Sequence, residues 1–305
     1  MTKRGMTGLC MAAVLAMSMM AGCGSSESTS GSSAAGASTA SSASAASEDN
    51  VLRVGMECAY PPFNRTQTTS EVEGGATAEP IYGTDTYAYG YDVAVAQMLA
   101  EEMGMELEIH KVEWSSIGTS LDAGVYDVII AGMGRTAERE ISYSFTEPYY
   151  YRNNCIVVAK DGPYADVTGL SDLAGTGCKV TTQLGTGWVP LLDQIEGANQ
   201  VGNYETTSEC FMALNNGVAD VCVVDLPTAE SAAMTNDNLL VITLDESDTF
   251  TDDDDMVNVC IATRKDDTEL RDRIQETMDS LGWNDEEAMD ALMEEIIPLQ
   301  PAASM

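Results

Sequence analysis

The sequence predicts an α/β protein made of two lobes, and three observations lead to this fold class. From Val51 onward, short apolar segments of strand length alternate with longer segments whose apolar residues recur at helical spacing. The chain has 305 residues, and at roughly 150 residues per domain this length suggests about two domains. A short pattern also occurs twice, once from Leu121 and again from Leu214, as expected if both lobes contain the same kind of helix–strand junction.

Residues 1–23 are predicted to be a lipoprotein signal peptide and not part of the fold. Lys3 and Arg4 precede a charge-free run from Gly5 to Gly22, which is typical of a secretory signal. The run also approaches the roughly 18–20 residues that a transmembrane anchor needs. The sequence Met20-Ala21-Gly22-Cys23 favours the signal, because it resembles the bacterial lipobox, in which cleavage precedes a cysteine that carries a diacylglyceryl group.

Residues 24–50 are predicted to be a flexible tether. From Gly24 to Ser47 every residue except Glu27 is Ser, Ala, Gly or Thr, a composition that cannot bury enough apolar surface to fold. The expected arrangement is a lipid anchor at Cys23, a tether, and a globule that begins near Val51. This arrangement places the protein on the extracytoplasmic face of a bacterial cell membrane.

The charge balance excludes several function classes. Fourteen Lys and Arg face 49 Asp and Glu, for a formal net charge of -35. Nucleic-acid binding is not expected, because phosphate backbones are neutralised by clustered Lys and Arg. The single histidine, His110, argues against His-based metal sites and a His-centred catalytic triad. We therefore predict no metal and no cofactor.

Six cysteines follow the predicted anchor. They are Cys58, Cys155, Cys178, Cys210, Cys222 and Cys260. Disulfides are conceivable outside the cytoplasm, but no pair has C-x-x-C spacing and several of the cysteines lie within apolar runs. Buried free thiols, which pack as small hydrophobic groups, are the favoured interpretation.

The globule is predicted to begin with a strand, a helix and a second strand. Val51–Met56 is an apolar strand. After Gly90, apolar residues at helical spacing predict a helix that ends at Gly104, because glycine readily adopts the left-handed conformation of a helix C-cap. The alternating segment Glu106–Val112, which contains His110, is the next strand.

Local signals also predict two further helices and one loop. Ser115 and Ser116 are good N-cap residues for a helix that reaches Ala123. The pattern of Glu269–Leu281 predicts a helix near the end of the chain. The run Asp252–Asp255 lacks the alternating ligands and the tight-turn glycine of a calcium loop, so we predict a solvated acidic loop.

The repeated pattern L-x-x-G-V-x-D-V predicts where a ligand would bind. It spans Leu121–Val128 and Leu214–Val221, and in each copy glycine would end a helix before a buried strand. Such junctions are common in α/β proteins, so one match alone is weak. The match nevertheless places Gly132 and Asp225 beyond equivalent strands, and ligands bind outside the carboxyl ends of strands in open α/β sheets. Two such loops facing each other would form a cleft between the lobes.

Seven short segments carry a resemblance to a known family. They are Val54–Phe63, Gly90–Val93, Glu113-Trp114, Ala131–Arg139, Phe145–Tyr150, Gln183–Gly187 and Val224-Asp225. In this order and spacing they resemble the amino-acid substrate-binding proteins of ABC transporters, extracellular solute-binding protein family 3, over nearly all of residues 51–298. The resemblance implies a type II periplasmic-binding-protein-like fold, in which two α/β lobes joined by two crossing strands close on ligand.

The resemblance also implies lobe boundaries and a function. Lobe 1 would comprise residues 51–149 and 258–305, and lobe 2 would comprise residues 150–257 with the hinge strands. The protein would be a monomeric receptor without enzymatic activity. It would bind an amino acid and deliver it to an ABC permease in the membrane.

An α-amino acid is a zwitterion, so the implied site needs one fixed cation and one fixed anion. Arg139 matches the family arginine that grips the carboxylate, where a planar guanidinium forms two parallel hydrogen bonds. Without the resemblance, we would interpret Arg139 as a surface arginine that forms an ion pair with Glu138 or Glu140. Asp225 matches the family acid that takes the α-ammonium, and the same side chain could cap the helix that follows.

Other residues around the ligand also follow from the resemblance. Tyr60 and Trp114 would wall its aliphatic part. The segment Gly185-Thr186-Gly187, here called the G-T-G turn, precedes an apparent helix and would direct backbone amides towards a carboxylate. The rest of the implied site consists of Glu57, Gly132, Gly134, Thr136, Gln183, Gly185, Thr186 and Gly187.

Four features bear on specificity, and three of them depart from the family pattern. Gly134 stands where many relatives carry Ser or Thr, and the neighbouring Arg135 would reach either the site or solvent. Glu57 occupies a position where relatives often carry a carboxylate near the ligand side chain, which favours a polar or cationic amino acid. Residues 64–89 form an insertion that we interpret as a flap over the cleft.

Two other function classes are kept as alternatives. Some extracytoplasmic dehydratases share the fold and would need a general acid in the cleft, for which Glu57 is the candidate. The second alternative is a sensing module that acts on a separate receptor.

Overall fold

The computed structural model describes residues 50–251, 258–283 and 285–299, which fall within one compact unit of the chain. The predicted signal peptide, the predicted lipidation site Cys23 and nearly all of the predicted tether lie outside the described residues. The acidic run Asp252–Asp255 also lies outside them.

A five-stranded sheet forms the core of the part that we call the first lobe. In spatial order its strands are β6 (Glu106–Lys111), β1 (Val51–Met56), β7 (Val128–Ile129), β14 (Val259–Arg264) and β8 (Tyr143–Tyr150). The first three strands are parallel, whereas β14 runs antiparallel to both of its neighbours. The buried side chains of β1 include Leu52, Val54 and Met56, so the predicted strand is confirmed.

A second five-stranded sheet forms the core of the second lobe. In spatial order its strands are β11 (Asn199–Gln200), β10 (Lys179–Thr181), β12 (Val221–Asp225), β9 (Asn154–Ala159) and β13 (Leu239–Ile242). Strands β11, β10 and β12 are parallel, and β9 runs antiparallel to β12 and β13. Every residue of β12 is buried.

The chain passes between the two sheets twice among the described residues. Strand β8 of the first sheet ends at Tyr150, and β9 of the second begins at Asn154. Later in the chain, β13 of the second sheet is followed by β14 of the first. Two lobes with two connections are the architecture expected from the resemblance, and the α/β, type II fold class is confirmed.

Eight α-helices pack around these sheets in the described part of the chain. They are α1 (Tyr91–Met103), α2 (Ile117–Asp122), α3 (Ala137–Ser142), α4 (Leu170–Leu173), α5 (Thr207–Asn215), α6 (Leu226–Thr235), α7 (Thr268–Ser280) and α8 (Glu286–Ile296). Helix α1 ends at Gly104, whose φ of 66° is left-handed, as predicted. Helix α7 confirms the predicted helix near the end of the chain.

The helix predicted from Ser115 to Ala123 differs in detail. Residues Trp114–Ser116 form a short 3-10 helix, and α2 follows it. Ser116 has helical backbone angles and forms no side-chain cap bond, so the N-cap prediction is wrong. The extra 3-10 turn accounts for the difference, since a residue already inside helical geometry cannot present its hydroxyl to the next turn.

Both copies of the repeated pattern form the predicted junction. Gly124 and Gly217 have φ values of 73° and 68°, in the left-handed region that favours glycine. Each is followed by a buried strand, β7 in the first lobe and β12 in the second. The carboxyl ends of these strands lead to Gly132 and Asp225.

Residues 64–89 build part of a small sheet. Its strands, in spatial order, are β2 (Ala59–Tyr60), β3 (Asn64–Gln67), β5 (Tyr87–Tyr89) and β4 (Glu79–Pro80). Ile81 forms a bridge with Ile109 of β6, which holds the sheet against the first lobe. The cavity described below has no lining residue from this segment, so the flap interpretation is not supported.

All six cysteines of the globule lie in the described part of the chain, where each is buried and none is in a disulfide. This agrees with the interpretation that they pack as small hydrophobic groups.

Candidate ligand-binding site

A narrow cavity lies between the lobes; the space within its walls is about 290 Å³, which includes the part that is open to solvent. It is lined by Glu57, Tyr60, Trp114, Ala131, Gly132, Gly134, Arg139, Arg152, Gln183, Thr186, Gly187 and Trp188. Nine of these residues were expected at the site from the sequence. Thr136, Gly185 and Asp225 were also expected, but they lie outside the lining.

Glu57 is a buried acid in the cavity wall, directly after β1. Its side chain is 4% exposed. One oxygen, Oε2, accepts a hydrogen bond of 3.0 Å from Gln183 Nε2, and Oε1 has no hydrogen-bond partner among the described residues. Burial raises the pKa of Glu57 to about 8. The hydrogen bond from Gln183 lowers this pKa, whereas the negative charge of Glu205 raises it. At neutral pH the carboxyl is therefore mainly protonated.

Arg139 reaches the cavity from α3, whose N-cap is Thr136. The Thr136 hydroxyl accepts a bond of 3.2 Å from the Arg139 amide, so Thr136 orients the helix and does not line the cavity. The guanidinium donates to Gly134 O and across the cleft to Gly185 O, both at 2.8 Å. It also lies 5.3 Å from the ring centre of Trp114. Burial lowers the pKa of Arg139 to about 10, which leaves it charged at neutral pH.

Two other contacts join the lobes beside the cavity. Trp114 Nε1 of the first lobe donates to Leu184 O of the second at 2.9 Å. The neighbouring amide of Ser115 donates to Glu205 Oε1 at 2.7 Å. The aromatic wall predicted at Trp114 is thus fixed by a hydrogen bond to the opposite lobe.

Asp225 lies behind the cavity wall at the end of β12. It is completely buried, and its Oδ1 accepts a bond of 2.9 Å from the Thr228 amide at the start of α6. The predicted N-cap role is therefore confirmed. The Tyr60 hydroxyl of the first lobe donates to Oδ2, and burial raises the pKa of Tyr60 well above its ordinary value, so this proton stays on the tyrosine.

Three residues of the wall, Ala131, Arg152 and Trp188, were not among the site residues expected from the sequence. Arg152 lies on the segment that connects β8 to β9, is 8% exposed, and donates from Nη1 to Tyr60 Oη and to Gly132 O, both at 3.1 Å. Its guanidinium carbon is 5.2 Å from the ring centre of Trp188. The available signal was weak: Arg152 is the only arginine between Arg139 and Arg264, and it stands at the expected hinge.

A buried hydrogen-bond chain fixes the backbone of Gly132. The Gly132 amide donates to Tyr149 Oη at 3.0 Å, and this hydroxyl donates to Asp92 Oδ1 at 2.6 Å. Asn64 Nδ2 donates to the other Asp92 oxygen at 2.7 Å. Burial raises the pKa of Asp92 to about 6, although the hydrogen bonds from Tyr149 and Asn64 lower it. Gly132 itself has a φ of 59°, and a Cβ there would come within 2.5 Å of Tyr60 Cε1, so glycine is required.

The G-T-G turn differs from its prediction. The next regular element is a 3-10 helix, Pro190–Gln194, and not an α-helix. The Thr186 hydroxyl donates to Gln183 O at 2.8 Å and closes the turn locally. Gly185 supplies the carbonyl that Arg139 binds, and its left-handed φ of 65° presents that carbonyl to the first lobe. The neighbouring Arg135 forms an ion pair of 3.8 Å with Glu140.

The family model of the bacterial extracellular solute-binding proteins, family 3, matches residues 52–294, and thus covers both lobes and the cleft. The chain belongs to this family.

Relatives of this solute-binding protein include several amino-acid-binding proteins. The L-cystine-binding protein TcyJ of Escherichia coli (strain K12) is 29% identical over 195 residues, which are 64% of this chain and 66% of TcyJ. The ABC transporter arginine-binding protein 1 of the same organism is 27% identical over 63% of this chain and 70% of its own. Among solved structures, the ancestral amino acid-binding protein AncCDT-1, a precursor of cyclohexadienyl dehydratase, is 26% identical with a TM-score of 0.63, over 81% of this chain and 96% of its own.

The part of this solute-binding protein that the structure describes has neither a candidate metal site nor a membrane-spanning helix. Residues 50–251, 258–283 and 285–299 contain no group of three or more His, Cys, Asp or Glu side chains placed to hold a metal ion. Within the same ranges no helix has both the length and the apolar character needed to cross a membrane. The cavity itself is lined by two guanidinium groups, Arg139 and Arg152, and by one buried carboxyl, Glu57.

Proposed function

We propose that this solute-binding protein is a lipid-anchored receptor that binds an amino acid in the cleft between its lobes and delivers it to an ABC permease. The observation that carries the proposal is the cavity between the lobes, with Arg139 and aromatic walls from Tyr60 and Trp114. Binding makes or breaks no covalent bond. Ligand contacts from both lobes favour the closed state and shift the population towards it.

In this proposal Arg139 takes the α-carboxylate. The guanidinium has five donors, and two of its hydrogen bonds go to the backbone carbonyls of Gly134 and Gly185 at the cleft rim. A carboxylate in the cavity would face the same charged group. Asp225 serves the α-ammonium from behind Tyr60, whose hydroxyl already contacts that carboxyl.

The side chain of the ligand is proposed to be polar or cationic. Glu57 and Gln183 form a polar patch in the cavity wall, and Glu57 Oε1 lacks a partner among the described residues. A buried polar atom without a partner is costly, so a ligand side chain that accepts a hydrogen bond from the neutral carboxyl, or donates one to the ionised carboxylate, is favoured.

The delivery parts of the proposal rest on the sequence alone. We propose that Cys23 carries the lipid, that residues 24–50 form the tether, and that the exported globule acts as a monomer. The division into residues 51–149 plus 258–305 and residues 150–257 belongs to the same proposal.

The decisive experiment is a thermal-shift screen against the twenty amino acids and L-cystine, followed by calorimetry. We expect Arg139→Ala to weaken binding of every amino acid that stabilises the wild type by about a hundredfold or more, because truncation removes a desolvated charge partner of the carboxylate. Arg135→Ala is the matched control, since its ion pair with Glu140 lies outside the cavity lining.

Two results would contradict the proposal. Wild-type stabilisation confined to sugars or metal ions would exclude an amino-acid receptor. Normal binding by Arg139→Ala would exclude this residue as the carboxylate partner.

A further inference from the structure

Arg152 is a second buried guanidinium in the cavity, and neither the family resemblance nor the proposed carboxylate partner explains it. It lies on the connection between the lobes, close to groups from both. The inference that follows rests on the proposed function, because it concerns how the same cavity treats the α-ammonium of its ligand.

The groups around Arg152 are those that an α-ammonium would need. Nη1 donates to Gly132 O of the first lobe and to the Tyr60 oxygen, which in turn contacts Asp225 of the second lobe. Two oxygen acceptors and a nearby carboxylate are a typical environment for a bound primary ammonium.

The electrostatics lead to the same conclusion. Burial alone would lower the pKa of Arg152, but the oxygen of Tyr60 and the charge of Asp225 outweigh burial and raise it. Arg152 therefore stays charged and supplies a positive charge to the neighbourhood of Asp225. A ligand ammonium placed there would meet a like charge in a desolvated cleft.

We propose that Arg152 is a specificity-determining residue that competes with the ligand's α-ammonium for Gly132 O, Tyr60 and Asp225. The guanidinium fills the cation position when the cleft is empty, and an amino acid binds only by displacing it or by sharing its acceptors. The cleft consequently depends mainly on the carboxylate and side chain of its ligand, because Arg152 offsets most of the affinity that the α-ammonium would gain from Asp225.

The first test compares L-arginine with 5-guanidinopentanoate, which has the same side chain and carboxylate but no α-ammonium. In wild type the two should bind with similar affinity. Arg152→Ala should bind L-arginine about tenfold or more tightly relative to the analogue, because a like charge is removed from the ammonium position. Arg152→Lys is the matched control and should keep the wild-type ratio, since it retains the charge.

A loss of affinity for both compounds in Arg152→Ala would overturn the proposal, because it would make Arg152 a partner of the carboxylate. A wild-type affinity that already depends strongly on the α-ammonium would also overturn it.

A second measurement needs no amino acid. The Arg152→Ala variant should leave a vacant cation position beside Asp225, so millimolar methylammonium chloride should raise its melting temperature more than sodium chloride does. Wild type and the double variant Arg152→Ala/Asp225→Asn should respond equally to the two salts. If Arg152→Ala also responds equally, the cation position does not exist, whatever the outcome of the amino-acid screen.

Discussion

Glu57 is the residue whose charge state decides how the cleft receives a ligand side chain. Its pKa is raised to about 8, so at pH 7 a cationic side chain must first cause the carboxyl to lose its proton. Affinity for a cationic ligand such as L-arginine should therefore rise between pH 6 and pH 8, by up to about tenfold per pH unit when one proton is released. Calorimetry across this range measures how affinity changes with pH. The affinity for a ligand with a neutral polar side chain should not change with pH in this way.

Glu57→Gln separates this effect from other titrations. Its affinity should be independent of pH over the same interval, and a slope that persisted would assign the proton to another group. The pH dependence of stability has a definite direction as well. Because the folded-state pKa is raised from 4.5 to about 8, the folded state binds the proton more tightly, so wild-type stability falls as pH rises through this window. The melting temperature of Glu57→Gln should not show that decline.

Some residues of the site were predictable because their signal is local or because they match the family pattern. Arg139 and Trp114 lie in short segments that resemble the family. Arg152 was not predictable in this way, since its acceptors, Tyr60 and Gly132, are distant along the chain and come together only in the folded cleft. The raised pKa of Glu57 likewise depends on burial, which sequence neighbours do not report.

At the scale of elements, the chain through Asp92 connects the start of α1 and strand β8 to the loop after β7. Tyr149→Phe removes the acceptor of the Gly132 amide and one donor to Asp92. An unsatisfied buried amide costs about 1–3 kcal/mol, so we expect both a lower melting temperature and weaker ligand binding, because Gly132 lines the cavity. Thermal denaturation and calorimetry measure the two effects.

Tyr91→Phe is the matched control for this element. The Tyr91 hydroxyl donates to the backbone oxygen of Tyr149 at 2.9 Å and does not touch Gly132. Its loss should lower stability but leave ligand affinity unchanged. Equal affinity losses in both variants would mean that the weaker binding follows from lower stability and not from the lost hydrogen bond of the Gly132 amide.

The elements themselves were predicted well where a local rule decides the outcome. Gly104, Gly124 and Gly217 all adopt the left-handed conformation expected where a helix ends. The rule failed at Ser116, where a 3-10 turn precedes the helix, and in residues 64–89, whose strands have two to four residues each. So short a strand shows too few residues for its alternating period to be recognised.

At the scale of the whole molecule, the two lobes are joined by contacts of two kinds. Some come from cavity-lining side chains, such as Arg139 to Gly185 O and Glu57 to Gln183. Others lie outside the lining, such as Ser115 N to Glu205 Oε1. Contacts of the second kind stabilise the closed state without touching a ligand. They raise the fraction of ligand-free protein that is closed, and the apparent affinity for ligand rises with that fraction.

Glu205 allows this coupling to be tested. Glu205→Ala removes the acceptor of the Ser115 amide, whereas Glu205→Gln keeps an oxygen acceptor and removes only the charge, which also acts on Glu57. We expect Glu205→Ala to enlarge the radius of gyration of the ligand-free protein in X-ray scattering. It should also weaken ligand binding about fivefold relative to Glu205→Gln, chiefly through faster dissociation, as a lost hydrogen bond of about 1 kcal/mol implies. Identical scattering and dissociation rates in the two variants would mean that the Ser115–Glu205 bond does not contribute to closure. Because both variants lose the same charge, any difference between them belongs to the hydrogen bond across the cleft and not to the electrostatics of Glu57.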